Sequence, residues 1–535
     1  MHSQYNRAED RYGSASLANE ADCRRAGLIG GNKGAYIGHM GRHALRLPND
    51  GSVALFGGAG SGKSSSIYAL NELTDYIGCN SITLDLRGEL TAIGTLSATM
   101  QGYHQYTFNP YGVPWCPQHG TNPLDHLNIN NPTLISDTRK VMIELLELPE
   151  ERKWWLDDAL QWSIGLLLVL CERDGVASLP TLYTAILNMN GANFDEWLAL
   201  YERMGQSRFA EVQQVAEAIA QAQNEGRDGF RAPMNALISA LSFMQEPAVF
   251  NALQGQDFSL DVICRTDIKA KVKIVIPMQY LGQSKGLIRL LLSRPIQDKM
   301  RIGGSHKIAV LIDECGQINR SESVRELFTF ARGAGAFGLC AWQEVSQIYG
   351  AFGNHGGNEI IGSALVRSFA GVKTMETARL ASSLAGVTTN RYDDIERQSD
   401  FTRQKQLAVQ SIMNGGNIAE AVANIRHYKA SETRQSKEPR ELYKPDEVLN
   451  LDGALTFVSG LVQGPIHAHW PRYFECKSLA GKYLANPFHD ENNVLIKGKK
   501  VPVITEDCPS TLQHLPQYQS GTWQYVKGYR PRIQG

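Results

Sequence analysis

Long hydrophobic runs are absent from the sequence. A membrane-spanning helix needs ~20 consecutive apolar residues, whereas the longest apolar run here covers only residues 164–171. Residues 1–25 are polar and carry charges throughout, a pattern unlike that of a secretory signal or a membrane anchor. These absences predict a soluble protein.

Cysteine pairs and an excess of one charge are absent as well. The nine cysteines are scattered, with no C-x-x-C pair, which is typical of reduced thiols in a cytosolic protein. Lys and Arg number 53 against 54 Asp and Glu, for a formal net charge of -1. Any surface that binds nucleic acid therefore has to be a local patch or the lining of a pore.

What the sequence does contain is an alternation of short apolar runs with helical stretches. Hydrophobic residues make up 43% of the 535 and charged residues 20%, as in ordinary globular proteins. Short runs rich in β-branched or aromatic residues predict buried strands. These runs are residues 53–56, 82–84, 106–108, 272–276, 308–312 and 337–342. Strands that alternate with helices predict an α/β fold, in which helices cover both faces of a parallel sheet.

Two regions interrupt this alternation. Residues 133–256 have helical periodicity and few strand signals, and long helices are predicted over residues 135–148, 151–173, 179–189 and 209–223. They indicate an all-helical module inserted into the α/β domain. Residues 391–440 are polar and predict mobile loops with one or two helices, whereas the tail after residue 474 supports no assignment.

A phosphate-binding loop follows the first predicted strand. Residues 57–64 match the motif G-x-x-x-x-G-K-[ST], and a helix is predicted over residues 64–75. Glycines allow backbone amides to curl around phosphate oxygens, and the helix N-terminus adds positive potential. We expect Lys63 to reach the β- and γ-phosphates and Ser64 to hold Mg²⁺. The predicted nucleotide-binding residues are Gly57, Gly58, Ala59, Gly60, Ser61, Gly62, Lys63, Ser64 and Ser65.

The predicted strand at residues 308–312 ends in two carboxylates, Asp313 and Glu314. An acidic strand end is the second half that a P-loop nucleotide site needs. We expect Asp313 to hold Mg²⁺ through its water shell and Glu314 to polarise the attacking water. A carboxylate in that position favours hydrolysis of ATP over mere binding.

Two further residues are candidates for the same site. Gln343 follows the apolar run at residues 337–342, where a neighbouring strand would carry a polar side chain towards the γ-phosphate. Arg332 lies in a turn just before that strand and could complete the site of an adjacent subunit as an arginine finger, which requires a ring. The alternative for each is a solvated surface residue.

Several blocks, in their order along the chain, resemble the coupling proteins of conjugation and type IV secretion (TraG/TraD type), relatives of FtsK-like and HerA-like translocases. The resemblance covers residues 12–474. Asp85-Leu-Arg-Gly-Glu89 is similar to the family's D-P-K-G-E turn, and Asp313-Glu-Cys-Gly-Gln317 extends the acidic block. Further similar blocks lie at residues 108–110, 122–125, 346–350, 376–378, 442–448 and 472–474.

The resemblance implies a P-loop (RecA-like) ATPase that uses ATP and Mg²⁺ to deliver relaxase-bound DNA to a secretion channel. It implies a homo-hexamer around the DNA in the active state, with a monomer as the possible isolated form. The implied partners are DNA bound without sequence preference, a relaxase or effector cargo, and the secretion channel or a membrane tether. Most family members begin with two transmembrane helices, which this sequence does not show. We therefore expect a cytoplasmic protein recruited to the inner face of the cytoplasmic membrane.

The resemblance also suggests a division of the chain. Residues 1–50 form a lead-in, residues 51–130 the first part of the nucleotide-binding domain, and residues 131–257 the inserted all-alpha domain, which helps to select cargo. Residues 258–480 form the second part of the nucleotide-binding domain. Residues 481–535 form a C-terminal tail.

Two other functions remain open at this point. One is a cargo receptor in which nucleotide controls assembly and the helical domain binds protein signals, with little pumping of DNA. ATP hydrolysis that ignores DNA, together with tight binding to a relaxase or effector, would favour it. The other is a translocase of the FtsK or HerA kind, against which the blocks at residues 85–89 and 122–125 and the position of the helical insert argue.

Overall fold

Our computed structural model describes most of the chain. The described residues are 12–31, 33–48, 51–149, 153–225, 227–393, 395–415, 417–428, 435–479, 481–488, 493–496, 499–502, 505–511, 513–514 and 525–526. The strands are β1 Tyr36–Met40, β2 His43–Arg46, β3 Val53–Phe56, β4 Asn80–Leu84, β5 His104–Phe108, β6 Ala270–Ile274, β7 Ile308–Ile312, β8 Ala336–Trp342, β9 Val366–Ala370, β10 Val387–Asp393, β11 Gln435–Glu441, β12 Ala454–Val458, β13 Ile466–Ala468, β14 Asn493–Ile496, β15 Lys499–Pro502, β16 Thr505–Glu506 and β17 Tyr525–Val526.

The helices account for most of the remaining described residues. They are α1 Glu20–Arg25, α2 Ala69–Leu73, α3 Glu89–Met100, α4 Leu134–Leu146, α5 Trp154–Asp174, α6 Leu179–Met189, α7 Phe194–Gly205, α8 Ala210–Glu225, α9 Arg227–Ala240, α10 Pro247–Ala252, α11 Leu281–Ile302, α12 Glu322–Thr329, α13 Ala331–Ala334, α14 Val345–Ser363, α15 Met375–Ala385, α16 Ile395–Met413, α17 Ile418–Tyr428 and α18 Pro445–Leu449. Among the described residues, no helix is both long and apolar enough to cross a membrane.

A nine-stranded sheet organises the molecule, in the order β13-β12-β9-β3-β8-β7-β4-β6-β5. The strands from β9 to β5 run parallel to their neighbours, and β12 and β13 add antiparallel pairs at one edge. All six predicted strands lie in this sheet. The prediction at residues 272–276 is displaced, because the strand there is Ala270–Ile274. The α/β fold with a parallel sheet is therefore confirmed.

Both faces of the sheet are buried, as its continuous apolar strands predict. Side chains alternate between the faces along each strand. On β3, Val53 and Leu55 join a core with the N-terminal hairpin β1–β2, whereas Ala54 and Phe56 join a larger core with the helical insert. The first core contains β13, and the second extends through α4 to α11. Side chains thus pack against the sheet from both sides.

The helical insert lies between β5 and β6 in chain order and comprises α4 to α10. Its predicted helices agree with α4, α5, α6 and α8 to within a few residues, although part of the predicted start at residues 151–173 lies outside the described residues. The sequence analysis missed α7, α9 and α10. Helix α5 forms the centre, since α4, α8 and α9 all pack against it.

Of residues 391–440, most of those that the structure describes lie in strands and helices, so the predicted helices are confirmed and strands stand where loops were expected. Strands β10 and β11 pair antiparallel, from Val387 opposite Glu441 to Asp393 opposite Gln435, and α16 packs on α17 between them in sequence. The sequence analysis missed this pairing because both strands are polar and lie far apart along the chain, so no local pattern indicates them. Residues 394, 416 and 429–434 lie outside the described part.

The tail that the sequence left unassigned contacts the α/β domain. Leu484 donates its backbone N–H to the carbonyl of Ile93 on α3 at 3.2 Å. Asn486 Nδ2 donates to Glu89 Oε1, at the start of the same helix. Residues 481–488 therefore cover α3, directly after the block at residues 85–89.

Candidate functional site

Three adjacent parallel strands bring the predicted site residues to one edge of the sheet. The P-loop follows β3, Gln343 follows β8, and Asp313 follows β7. In register, Phe56 pairs with Trp342, and Ile312 pairs with Cys340. Because the carboxyl ends of parallel strands meet at the same edge, a ligand is expected in the crevice there.

Glycines shape the P-loop at two positions. Gly62 has a φ of 91°, a left-handed conformation that other residues rarely adopt, and it leads directly into the π-helical turn Lys63–Tyr68. A Cβ atom at Gly57 would lie 2.6 Å from the carbonyl oxygen of Ala370, so only glycine fits between β3 and β9. The Lys63 side chain is 5% exposed, and its Nζ donates to the carbonyl of Gly57.

The two halves of the nucleotide site touch through Ser64 and Asp313. The Ser64 hydroxyl donates a hydrogen bond to Asp313 Oδ2. The other oxygen, Oδ1, is buried and accepts no hydrogen bond from the described residues. A hydroxyl beside a carboxylate oxygen without a partner is the kind of oxygen set that hydrated Mg²⁺ takes. The residues therefore fit a Mg²⁺-bound nucleotide.

Electrostatics at this carboxyl favour a cation. Burial raises the pKa of Asp313 to about 7, against the opposing effects of the Ser64 hydroxyl and the Lys63 ammonium. The nearby carboxylates of Glu314 and Asp85 contribute to this raised pKa. A divalent cation would remove this cost by stabilising the ionised form.

Gln343 and Glu314 form a second contact at the same edge. Gln343 Nε2 donates to Glu314 Oε2 at 3.2 Å. The Gln343 backbone N–H donates to Gln347 Oε1 at 2.9 Å, one turn into α14. Gln343 thus positions the Glu314 carboxylate, which we expect to polarise water. Gln347 in turn positions Gln343.

Within this chain, Arg332 lies away from the other predicted site residues. It is exposed on the short helix α13, which leads into the amino end of β8, whereas the P-loop lies at the carboxyl ends of the strands. A seven-residue strand spans about 20 Å. Arg332 could serve only the site of another subunit, and that role stays a prediction.

The sequence analysis missed Lys373, which lies against the P-loop from the carboxyl end of β9. Its Nζ donates to the carbonyl of Ala59 at 3.1 Å. A Cβ atom at Gly58 would lie 2.9 Å from Lys373 Cδ, so the aliphatic stem covers the loop. No motif contains this lysine, and only the pairing of β9 with β3 places it there.

Comparisons with known proteins place the sequence in a family. The sequence matches the family described as type IV secretory system conjugative DNA transfer over residues 9–502. Two conjugal transfer proteins TraG of Escherichia coli are 22% and 21% identical to it, over 71% and 84% of this chain. The matched region covers 64% of the length of the first of these relatives and 73% of the second.

Solved structures share the fold. The plasmid coupling protein TrwB in complex with ADP and Mg²⁺ superposes with a TM-score of 0.61 at 14% identity, over 88% of this chain and 94% of that one. The unbound monoclinic form of the bacterial conjugative coupling protein TrwBdeltaN70 gives a TM-score of 0.59 at 13% identity, over 86% and 93%. Since the family match covers most of the sequence, this chain belongs to the type IV secretory system conjugative DNA transfer family.

Proposed function

We propose that this protein is a coupling ATPase of a type IV secretion or conjugation system, which uses ATP hydrolysis to deliver relaxase-bound DNA to the secretion channel. The contact between Ser64 and Asp313 carries the proposal, because it joins the P-loop to the acidic strand end in one Mg²⁺-compatible site. The complex of TrwB with ADP and Mg²⁺, and that of TrwB with a non-hydrolysable ATP analogue, support ATP and Mg²⁺ as the ligands.

Each site residue has a definite task in hydrolysis. Bound Mg²⁺ neutralises charge on the β- and γ-phosphates. The P-loop amides and Lys63 bind the phosphates, and Ser64 with Asp313 holds the hydrated cation. Glu314 orients and polarises the attacking water, and the hydrogen bond from Gln343 keeps its carboxylate in place.

The proposed assembly is a homo-hexamer around the DNA. A ring would place Arg332 of one subunit at the nucleotide of the next, where a cation stabilises charge in the transition state. The DNA would be gripped through its phosphates without reading of sequence, so binding should weaken steeply with salt. We propose recruitment to the inner face of the cytoplasmic membrane by a tether or by the channel itself.

Steady-state ATP hydrolysis tests the proposal. Wild type and Lys63→Ala are compared without DNA, with single-stranded DNA and with double-stranded DNA, across a range of salt and protein concentrations. We expect DNA to raise the wild-type rate several-fold and the Lys63→Ala variant to be inactive under all conditions. A wild-type protein that binds nucleotide but hydrolyses it at a rate that DNA never changes would contradict the motor function.

A cargo receptor is the second candidate function. On α7 of the helical insert, Phe194 and Leu198 are 66% and 42% exposed and lie one turn apart. A contiguous apolar patch on a surface is typical of a site that contacts another protein, and these two side chains would form its centre. If ATP hydrolysis ignores DNA while a relaxase or effector binds tightly, and Phe194→Ser weakens that binding, the receptor function is favoured.

A further inference from the structure

A buried arginine joins the loop after the catalytic carboxylates to the inserted helices. Arg289 lies on α11 and is 2% exposed. Its guanidinium donates to acceptors from two distant parts of the chain. These acceptors are Glu144 O at 2.8 Å, Glu147 Oε2 at 2.8 Å, Ile318 O at 3.0 Å and Leu145 O at 3.5 Å. One side chain therefore bridges two segments that the sequence separates widely.

The first of these segments is the C-terminal end of α4, the first helix of the insert. The last carbonyls of a helix have no partner within it and carry the negative end of the helix dipole. The Arg289 guanidinium donates hydrogen bonds to these carbonyls and places a positive charge beside the dipole. The Glu147 carboxylate accepts a further hydrogen bond from it. Gly286 permits this close packing, because a Cβ atom there would lie 3.0 Å from the carbonyl oxygen of Leu145.

A second contact joins the same helix end to α12, which follows the loop. The Glu144 side chain is 3% exposed, and its Oε1 accepts a hydrogen bond from the backbone N–H of Ser323 at 2.9 Å. Ser323 lies in the first turn of α12, where backbone N–H groups lack helical partners. The end of α4 is therefore linked to Ile318 through Arg289 and directly to Ser323 at the start of α12.

The other side of the loop contacts the catalytic residues. A Cβ atom at Gly316 would lie 2.4 Å from Gln347 Cδ, so the loop backbone packs directly on that amide. Gln347 in turn accepts from the N–H of Gln343, whose side chain donates to Glu314. A cleft of about 580 Å³ adjoins the loop, and its lining includes Glu147, Gly316 and Gln347. The loop therefore borders open space on the side of Glu147 and Gln347.

We propose that Arg289 couples the nucleotide site to the helical insert. A shift of residues 315–321 that accompanies nucleotide binding is passed to the end of α4 through Arg289, with Glu144 as the second link. The inference rests on the proposed function, since it requires nucleotide at the P-loop. Arg289 is a positioning residue, because it lies on α11 and its hydrogen bonds go to α4, Glu147 and Ile318.

Hydrogen exchange on the full chain tests the coupling. The exchange of amides in α4 is measured with no nucleotide, with Mg·ADP and with a non-hydrolysable Mg·ATP analogue. Wild type is compared with Arg289→Lys and Glu147→Gln, and Glu196→Gln on α7 is the matched control. Nucleotide affinity and thermal midpoint are measured for each protein. Glu147 is 34% exposed in its side chain, so Glu147→Gln keeps the test informative if Arg289→Lys does not fold.

We expect the analogue to change exchange in α4 of wild type and of Glu196→Gln. In Arg289→Lys this change should be clearly reduced while nucleotide affinity is retained, since only the contact between Glu144 and Ser323 still links the two segments. In Glu147→Gln the reduction should be smaller, since Arg289 keeps its bonds to Glu144 O and Ile318 O. A role of Arg289 in stability alone predicts a lower thermal midpoint with the exchange difference intact, which would overturn the inference. Bound analogue without any exchange difference in wild type would overturn it too. If the analogue fails to bind wild type at all, the proposed function itself falls.

Discussion

The hydroxyl of Ser64 donates to the carboxylate of Asp313, although 249 positions separate these two residues in the chain. The contact closes the crevice between the ends of β3 and β7, with β8 between them. It also explains why one P-loop and one acidic strand end can act as a single site.

Glu314→Gln should separate binding from hydrolysis. The change removes the charge that is proposed to polarise water but keeps the size of the side chain and an oxygen that can accept from Gln343. We expect hydrolysis to fall by about 10²–10⁴-fold, the range for loss of a catalytic base, with nucleotide affinity little changed. The measurement is steady-state hydrolysis beside equilibrium binding of a fluorescent ATP analogue. Glu376→Gln, which changes an exposed carboxylate on α15, is the control, and equal losses in both variants would contradict the assignment.

Affinity for Mg·nucleotide should rise with pH through about 7. Burial raises the pKa of Asp313 to about 7, so below that pH the carboxyl is mostly protonated and must lose a proton to face the cation. Between pH 6 and pH 8 we expect the dissociation constant to fall by about tenfold. Titration calorimetry at several pH values measures it. Asp313→Asn should bind weakly with a flatter profile, and an identical slope in both proteins would exclude Asp313 as the titrating group.

Lys373→Ala should weaken nucleotide binding modestly. The lysine holds the P-loop through Ala59 and covers Gly58, but its contact is exposed, and exposed charged contacts contribute about 0.5–1 kcal/mol. That corresponds to about a two- to fivefold loss of affinity, measured by equilibrium titration. Lys140→Ala, an exposed lysine on α4, should leave affinity unchanged. Wild-type affinity in Lys373→Ala would show that the contact has no functional role.

Arg332 should act on the nucleotide of a neighbouring subunit. Arg332→Ala and Lys63→Ala are each expected to be inactive alone, because every site of the proposed ring would then lack one part. A mixture of the two should recover hydrolysis, since a subunit with an intact P-loop can then lie beside one with an intact arginine. Steady-state assays over a range of mixing ratios measure the recovery. A mixture as inactive as its components would contradict action between subunits.

Glu72→Gln should destabilise the α/β domain without touching the site. Glu72 is 2% exposed, contacts Lys271 Nζ at 3.3 Å, and forms an ion pair with Lys273. Burial by itself would raise the pKa of the Glu72 carboxyl, but the two ammonium groups outweigh it and lower the pKa to about 2. Removing one member of a buried ion network costs about 3–5 kcal/mol. Urea denaturation measures the loss of stability, and Glu217→Gln, which changes an exposed carboxylate, is the control. Equal midpoints for Glu72→Gln and the control would refute the argument.

Much of this protein could be predicted from local sequence. The P-loop needs glycines at particular positions, and the acidic strand end needs a buried run followed by carboxylates, so both are visible without a structure. The six core strands are visible for the same reason, because burial on both faces demands continuous apolar runs. The position of Gln343 after its strand predicts a place near the γ-phosphate, and the structure brings its side chain to Glu314.

Only the tertiary structure decided the contacts that depend on strand order and on distant partners. Lys271 and Lys273 alternate with apolar residues on β6, a pattern that suggests solvent, yet both are buried because Glu72 packs over them. Lys373 and Arg289 belong to no motif and gain their roles from β9 beside β3 and from α11 against the end of α4. The sequence by itself determined which chemistry the chain carries, since that requires residue types at fixed local spacing. The fold decided which charged side chains contact each other, since contacts between residues hundreds of positions apart follow from strand register and packing.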